Sequence, residues 1–240
     1  MSLSFTTSDD QSATGGVKML IYGPAGYGKT MLAATMPTPL ILSTEKGLLS
    51  LNHANQMKVF GSHQNIPVIE IKNAQDLTDA YQMVATSNDC KHFESIVLDS
   101  ISDIAEVVLA NAKRQVKDPR QAYGELAEKM TTLIRCFRDL PEKHVYFSAK
   151  QDRVQDSDGL LMYGPSMPGK QLTAGLGHFF DEVFALGVSS KDSQGNTYRF
   201  LRTKADAQWQ AKDRSGALDD IEEPNLAKII AKIQSQRLVS

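Results

Sequence analysis

The sequence predicts an α/β protein of three layers, with a mostly parallel central sheet and an antiparallel strand pair near its carboxyl end. Short apolar runs suited to buried strands alternate with longer segments of helical periodicity, which is the order of βαβ units. A glycine-rich turn joins the first apolar run to the first helical segment. Late in the chain, two runs flank the turn signal Gly195-Asn196, which is typical of an antiparallel pair.

The elements follow in order along the chain. Apolar runs predict strands at 17–22, 39–43, 68–71, 94–99, 143–151, 179–188 and 198–204. Five helices are predicted. The first follows the glycine-rich turn and ends before Pro37, and the second begins after Asn73. The third and fourth cover 101–109 and 126–137, and the last begins at Pro224. Residues 46–65 have little periodicity, so no element is predicted there. We expect a flexible tail at 1–16 and one domain at 17–240, with its core at 17–205 and a helix at 224–237.

Composition narrows the class of protein. The chain has 240 residues, of which 41% are hydrophobic and 22% charged, as in an ordinary soluble domain. A net charge of −2 gives no overall basic field, so any contact with nucleic acid must come from local patches. Cys90 and Cys136 lack metal-like spacing and favour a reducing, cytoplasmic setting. We see no signal peptide and no apolar run of about 18 residues, and therefore expect no membrane contact.

The glycine-rich turn carries the strongest functional signal. It fits the pattern G-x-x-x-x-G-K-[ST] between a predicted strand and a predicted helix. Glycines allow successive backbone N–H groups to converge on one anion. Lys29 would reach the β- and γ-phosphates, and the Thr30 hydroxyl would hold Mg²⁺. The turn therefore predicts a site for ATP and Mg²⁺, formed by Gly23, Pro24, Ala25, Gly26, Tyr27, Gly28, Lys29, Thr30 and Met31.

Two acids complete this site. Asp99 ends a strand and is the expected second Mg²⁺ ligand, usually acting through water. Many ATPases of the AAA class carry the glutamate that activates water directly after this acid, but Ser100 stands there in this chain. A hydrolytic base must then come from elsewhere, and Glu45, just after the second strand, is the leading candidate.

These segments resemble a known family. The run Ile96-Val97-Leu98-Asp99-Ser100-Ile101 resembles the Walker B segment of bacterial RecA, and the segment from Ser43 to Leu48 resembles the strand end that carries the catalytic glutamate of RecA. The chain looks like the short RecA-like ATPases of bacteriophages, grouped among nucleotide-binding and single-strand annealing proteins. The resemblance implies a RecA-like core and slow or DNA-stimulated ATP hydrolysis, with Glu45 and Lys29 in catalysis.

The resemblance also points to two DNA-binding segments. The break between the two central helices corresponds to the first DNA-binding loop of RecA-like proteins and holds the densest basic cluster, Lys113, Arg114, Lys117 and Arg120. A solvated helix end explains this cluster equally well. After the strand at 143–151, Lys150 or Gln151 would sense the γ-phosphate. Residues 152–172 then read as a long loop that contacts single strands through Arg153, Tyr163 and Lys170, or alternatively as a short β-hairpin with no DNA role.

The late strand pair suggests a contact between copies of the chain. RecA-class proteins use basic residues here to reach the ATP of the next protomer, which makes Arg202 and Lys204 candidates for catalysis. Lys212 and Arg214 are rivals for that role, and a basic edge strand that prevents aggregation is the alternative. In the tail, the segment from Phe5 to Ser8 is similar to a Phe-x-x-Ala motif by which some recombinases dock onto a neighbour, with Ser8 in place of alanine.

The function expected from this resemblance is ATP-dependent binding of single-stranded DNA in phage recombination, by annealing or strand pairing. Partners would be single-stranded DNA, further copies in rings or filaments, and a single-strand binding protein, in the cytoplasm of the host cell. A RecA-core helicase or motor ATPase is one alternative. A nucleotide-gated interaction module with little turnover is the other.

Overall fold

A computed structural model describes residues 15–45, 48–155, 159 and 161–237. Ten strands form one sheet: β1 Lys18–Gly23, β2 Pro39–Ser43, β3 Val68–Glu70, β4 Ser95–Asp99, β5 His144–Gln155, β6 Leu161–Ser166, β7 Glu182–Val188, β8 Arg199–Arg202, β9 Lys212–Asp213 and β10 Ile221–Glu222. The α-helices are α1 Lys29–Leu32, α2 His53–Phe60, α3 Ala74–Thr86, α4 Ile101–Gln115, α5 Pro119–Arg138, α6 Lys170–Gly175 and α7 Leu226–Arg237.

The strand order confirms the predicted sheet. The main path runs β10-β8-β7-β1-β5-β4-β2-β3, and the six strands from β7 to β3 are parallel. Strand β8 is antiparallel to β7, and β10 is antiparallel to β8. Strand β1 lies at the centre, with β5 on one side and β7 on the other. The loop that follows β1 therefore leaves the sheet at its middle.

The sheet separates two apolar clusters, which makes three layers. Leu20 and Tyr22 of β1 face the cluster formed with α3, α4 and α5, whereas Met19 and Ile21 face the cluster formed with α1 and α7. This division follows from the strand geometry, because successive side chains point to opposite faces. Within the described part of the chain, no helix is both long and apolar enough to cross a membrane.

Capping residues begin the helices that frame the site. Ser100 accepts a hydrogen bond from the backbone N–H of Asp103 at 3.2 Å and begins α4. Asp118 caps α5 through the N–H of Arg120 at 2.9 Å, and Pro119 occupies the first helical turn, where its missing N–H costs nothing. Asn73 caps α3, as its sequence predicted.

Two sequence predictions of local structure were wrong. Residues 46–65 were predicted to lack an element, but they contain the helix α2 and a 3-10 turn at Leu49–Leu51. Residues 152–155 and 161–172 do not form a long loop. The end of β5 pairs with β6 in an antiparallel hairpin, and the short helix α6 follows. The hairpin was the alternative reading of this segment.

The short strand β9 places Asp213 opposite Glu182 of β7, so that two acids are neighbours. Glu182 at the start of β7 is buried, and its Oε1 accepts a hydrogen bond from the N–H of Ser215 at 3.3 Å. Its Oε2 has no hydrogen-bond partner among the described residues. Burial, and next the neighbouring carboxylate of Asp213, raise the pKa of Glu182 to about 8.

We expect this acid to make stability depend on pH. The folded state raises the pKa of Glu182 above its ordinary value of 4.5. Below about pH 4.5, the bound proton therefore contributes its full stabilisation to the folded state. It is lost as the pH rises to about 8. The free energy of unfolding should fall across this window, with a slope of up to about 1.4 kcal/mol per pH unit from this group. Urea unfolding of the wild type and of Glu182→Gln at several pH values measures this slope, since the glutamine variant should lack it. Parallel curves for the two proteins would contradict the prediction.

Candidate functional site

A cavity of about 1020 Å³ lies at the carboxyl end of the central strands. The glycine-rich turn between β1 and α1 forms one wall, and the ends of β2, β4 and β5 form another. The predicted cradle residues line it, namely Gly23, Pro24, Ala25, Gly26, Gly28, Lys29, Thr30 and Met31. Tyr27 is the exception, because it packs against the cluster under α1 and α7.

The turn has the backbone conformation that a phosphate cradle needs. Gly26 and Gly28 have φ angles of 79° and 104°, a region that side chains rarely adopt. Gly23 is also sterically required, since a Cβ there would lie 2.9 Å from the carbonyl oxygen of Leu186. This geometry explains the glycine spacing that the sequence displays.

Lys29 lies inside the cradle. Its Nζ donates to the carbonyl oxygens of Gly23 and Pro24, at 2.7 and 3.0 Å. Burial lowers the pKa of Lys29, while the carboxylates of Asp99, Asp103 and Glu45 act in the opposite direction. The carbonyl oxygen of Lys29 accepts a hydrogen bond from the buried hydroxyl of Tyr146 at 2.9 Å, which anchors α1 on the sheet.

The two predicted acids meet at neighbouring strand ends. The parallel register pairs Ser43 of β2 with Asp99 of β4, so Glu45 follows two residues beyond the partner of Asp99. Asp99 is buried and accepts a hydrogen bond from the hydroxyl of Ser148 on β5. Glu45 is exposed, and its backbone N–H donates to the hydroxyl of Ser43 at 3.1 Å. Both acids line the cavity together with Lys29 and Thr30.

These residues fit a magnesium nucleotide. The cradle presents backbone donors to an anion, and Thr30 and Asp99 supply the hydroxyl and carboxylate oxygens that Mg²⁺ prefers. Gln151 reaches the same cavity, and its buried Oε1 has no hydrogen-bond partner among the described residues.

Lys150 has a different environment from its neighbour Gln151. Its Nζ forms ion pairs with Asp103 at 2.7 Å and with Glu106 at 2.8 Å, and the hydrogen bonds that it donates to these two carboxylates raise its pKa. Both residues proposed from the sequence as γ-phosphate sensors line the cavity, and a sensing role for either stays a prediction.

The basic residues predicted to act on a neighbouring copy lie outside this cavity. Lys204 pairs with Asp220 at 2.6 Å and Arg202 pairs with Asp206 at 2.9 Å. Lys212 and Arg214 lie beside the first residues of β7, at the end of the sheet away from the glycine-rich turn. A role for any of them across a contact between copies stays a prediction.

The predicted DNA-binding residues fall into two groups. Lys113, Arg114, Lys117 and Arg120 are exposed where α4 ends and α5 begins. Arg153 and Tyr163 face each other across the hairpin, with the guanidinium 5.5 Å from the ring centre. The ring of Tyr163 also stacks on Trp209 at 4.6 Å, so it is already in contact within the chain.

Tyr123 links the two segments and was missed by the sequence analysis. Tyr123 is 41% exposed, and the ammonium of Lys113 lies over its ring, 5.2 Å from the centroid. A Cβ at Gly169 would lie 3.4 Å from the same ring, so the start of α6, with the exposed Lys170, adjoins it. The sequence held no signal for this residue, because the contact joins helices that are distant along the chain.

Fold and site together define a P-loop nucleotide-binding protein. The AAA domain family matches residues 15–215, and the chain belongs to this family. Among solved structures, the chain is similar to a KaiC-like protein from Pyrococcus horikoshii, at 16% identity and a TM-score of 0.45, over 78% of this chain and 77% of that one. No curated protein matches the sequence.

Proposed function

We propose that the protein hydrolyses ATP and uses the nucleotide to control its binding of single-stranded DNA in recombination, as the resemblance to phage annealing ATPases suggests. The observation that supports this most is the convergence of Lys29, Thr30, Asp99 and Glu45 on one cavity. Phosphate binding, metal binding and a base for water are all available there, and Ser100 caps a helix in the position where other ATPases carry the base.

In this proposal each residue has a defined task. The N–H groups of the cradle and the ammonium of Lys29 bind the phosphates and stabilise the charge that develops on them. Thr30 and Asp99 would hold Mg²⁺, which when bound would neutralise part of that charge. Glu45 orients a water molecule and accepts its proton. Glu45 is suited to this task, because it lines the cavity and is also exposed to water.

Strand β5 offers a direct connection from the nucleotide to the strand-binding surface. Gln151 reaches the cavity, and Arg153 lies two residues further along the same strand in the hairpin. The N–H of Lys150 donates to Ser102 of α4 at 2.9 Å, and the Ser102 hydroxyl donates to the carbonyl oxygen of Ser166 on β6 at 2.6 Å. These bonds join both hairpin strands to α4, so a change at the γ-phosphate would reach the hairpin and α4 together.

The strand-binding surface is defined by Lys113, Tyr123 and Lys170. Exposed cations follow a phosphate backbone, and an exposed ring stacks on bases of any sequence. We infer from the resemblance that several copies assemble on one strand as rings or filaments. In such an assembly, Lys204 would act across the contact and a single-strand binding protein would compete for the same DNA.

Affinity for an oligonucleotide of mixed sequence, measured with ATP and without nucleotide over a series of salt concentrations, tests this function. We expect tighter binding with ATP and a linear fall of log affinity with log salt concentration. Lys113→Ala and Lys170→Ala should each reduce the salt slope by about one, and Tyr123→Ala should weaken binding by about 1–3 kcal/mol with little change of slope.

Lys191→Ala provides the control for charge, because Lys191 lies in the exposed turn between β7 and β8. It should bind DNA as the wild type does. Equal affinity for single strands with and without ATP would contradict the proposal, and preferential binding of duplex DNA would favour a helicase or motor instead.

A further inference from the structure

The side chain of Arg199 lies over the glycine-rich turn of its own chain. Arg199 begins β8 and lines the cavity. Its Nε, Cδ and Cζ lie 3.4, 3.7 and 3.8 Å from the point that a Cβ on Gly28 would occupy. Gly28 directly precedes Lys29, so this guanidinium is next to the backbone donors of the cradle.

Unlike Arg202 and Lys204 of the same strand pair, Arg199 has no anionic partner among the residues that the structure describes. Arg202 and Lys204 are paired with Asp206 and Asp220. Across residues 15–45, 48–155 and 161–237, no carboxylate forms an ion pair with Arg199. A cation beside a phosphate cradle, with its donors unused, is arranged for an anionic ligand.

The packing of β8 directs this side chain towards the cradle. Phe200 pairs with Gly187. A Cβ at Gly187 would come within 2.4 Å of the Phe200 ring, so only glycine leaves room for this ring in the observed register. Leu201 is buried in the cluster that includes Leu32 of α1. Because residues two apart on a strand point to the same face, Arg199 lies on the face that carries α1.

We propose that Arg199 binds the α- and β-phosphates of the nucleotide held by the same chain. This inference rests on the proposed nucleotide site. The N–H groups of such a loop cradle the α- and β-phosphates, whereas its lysine reaches towards the γ-phosphate. A planar guanidinium above Gly28 adds paired donors to the α/β side, which ATP and ADP share.

Equilibrium binding of Mg-ADP and Mg-ATP to the whole chain tests this role without relying on hydrolysis. Arg199→Ala should weaken both nucleotides about tenfold. Arg199→Lys should recover part of the lost affinity, because lysine keeps the positive charge but not the planar set of paired donors. Lys191→Ala removes one positive charge from the turn between β7 and β8, outside the cavity. This variant should bind both nucleotides as the wild type does.

A mixing experiment separates a role within the chain from a role between copies. Lys29→Ala chains, which keep Arg199 but lack the lysine of the cradle, are added in excess to Arg199→Ala chains. Affinity should stay low if Arg199 serves its own chain. Recovery of wild-type affinity would overturn the assignment, because it would mean that Arg199 reaches a neighbouring copy.

The outcomes for the two proposals are distinct. If the wild type binds neither nucleotide, the proposed function fails and this inference fails with it. If the wild type binds both and Arg199→Ala binds equally well, only the role of Arg199 is refuted. A loss confined to ATP would also refute it, since that would place the guanidinium at the γ-phosphate.

Discussion

Replacement of Lys29 by alanine is expected to weaken ATP binding about 10- to 150-fold and to abolish turnover. The ammonium lies within the cradle, bonded to the carbonyl oxygens of Gly23 and Pro24. Removing it leaves the phosphates without their nearest cation in a partly buried site, where a charge-assisted hydrogen bond is worth about 1.5–3 kcal/mol. Titration with a fluorescent ATP analogue in the presence of Mg²⁺ measures the loss.

Lys228→Ala is a suitable control for this experiment. Lys228 is an exposed lysine of α7, paired with Glu223 at 2.6 Å, and does not line the cavity. This variant should bind ATP as the wild type does, and thermal unfolding of both variants checks that each is folded. Tight ATP binding by a folded Lys29→Ala protein would mean that the cavity is not the nucleotide site.

Replacement of Glu45 by glutamine should leave ATP binding intact and reduce the turnover number about 100- to 10,000-fold, the usual contribution of a general base. Glutamine keeps the size of the side chain but accepts no proton at neutral pH. Glu45 is exposed and lies beyond the end of β2, so the exchange should not disturb the fold. Phosphate release under saturating ATP measures turnover, and nucleotide titration measures binding.

Glu70→Gln is the matched control for Glu45→Gln. Glu70 ends the neighbouring parallel strand β3, in register with Ser43, but does not line the cavity. Its turnover should equal that of the wild type. Unchanged turnover in Glu45→Gln would refute the assignment of the base and would favour a nucleotide-gated module whose slow hydrolysis needs no carboxylate.

The sheet could be predicted from sequence because its strands are continuous apolar runs, buried on both faces. Helix α2 could not, since its buried residue is polar. Gln56 is 1% exposed and is held by the carbonyl oxygens of Leu51 and Gln64, at 2.6 and 3.0 Å. Apolar periodicity cannot reveal a helix that packs through an amide, although the cap Asn52 and the terminating Gly61 were present as end signals.

The hairpin after β5 was obscured by its turn-like composition. Gly164 and Pro165 belong to β6, which pairs with β5 alone apart from a bridge between Tyr163 and Trp209 among the described residues. A strand at such an edge tolerates proline, because one side of its backbone needs no partner. Glycine and proline therefore indicated a loop where an edge strand forms.

The candidate site was predictable only where function is encoded in a short segment. The cradle and Asp99 belong to local motifs, and Glu45 followed from the rule that parallel strands end together. Arg199 and Tyr123 gave no such signal. Their positions depend on the register of β8 against β7 and on the approach of α6 to α5, which no spacing within a segment specifies.

The central place of β1 has a consequence for the thermodynamics of ligand binding. The strand is hydrogen-bonded along both sides, to β5 and to β7, so the loop that follows it starts from a fixed position in the sheet. Little conformational entropy is then lost when an anion enters, and affinity is decided by charge and desolvation rather than by loop folding. Nucleotide association should accordingly resemble docking into a rigid receptor.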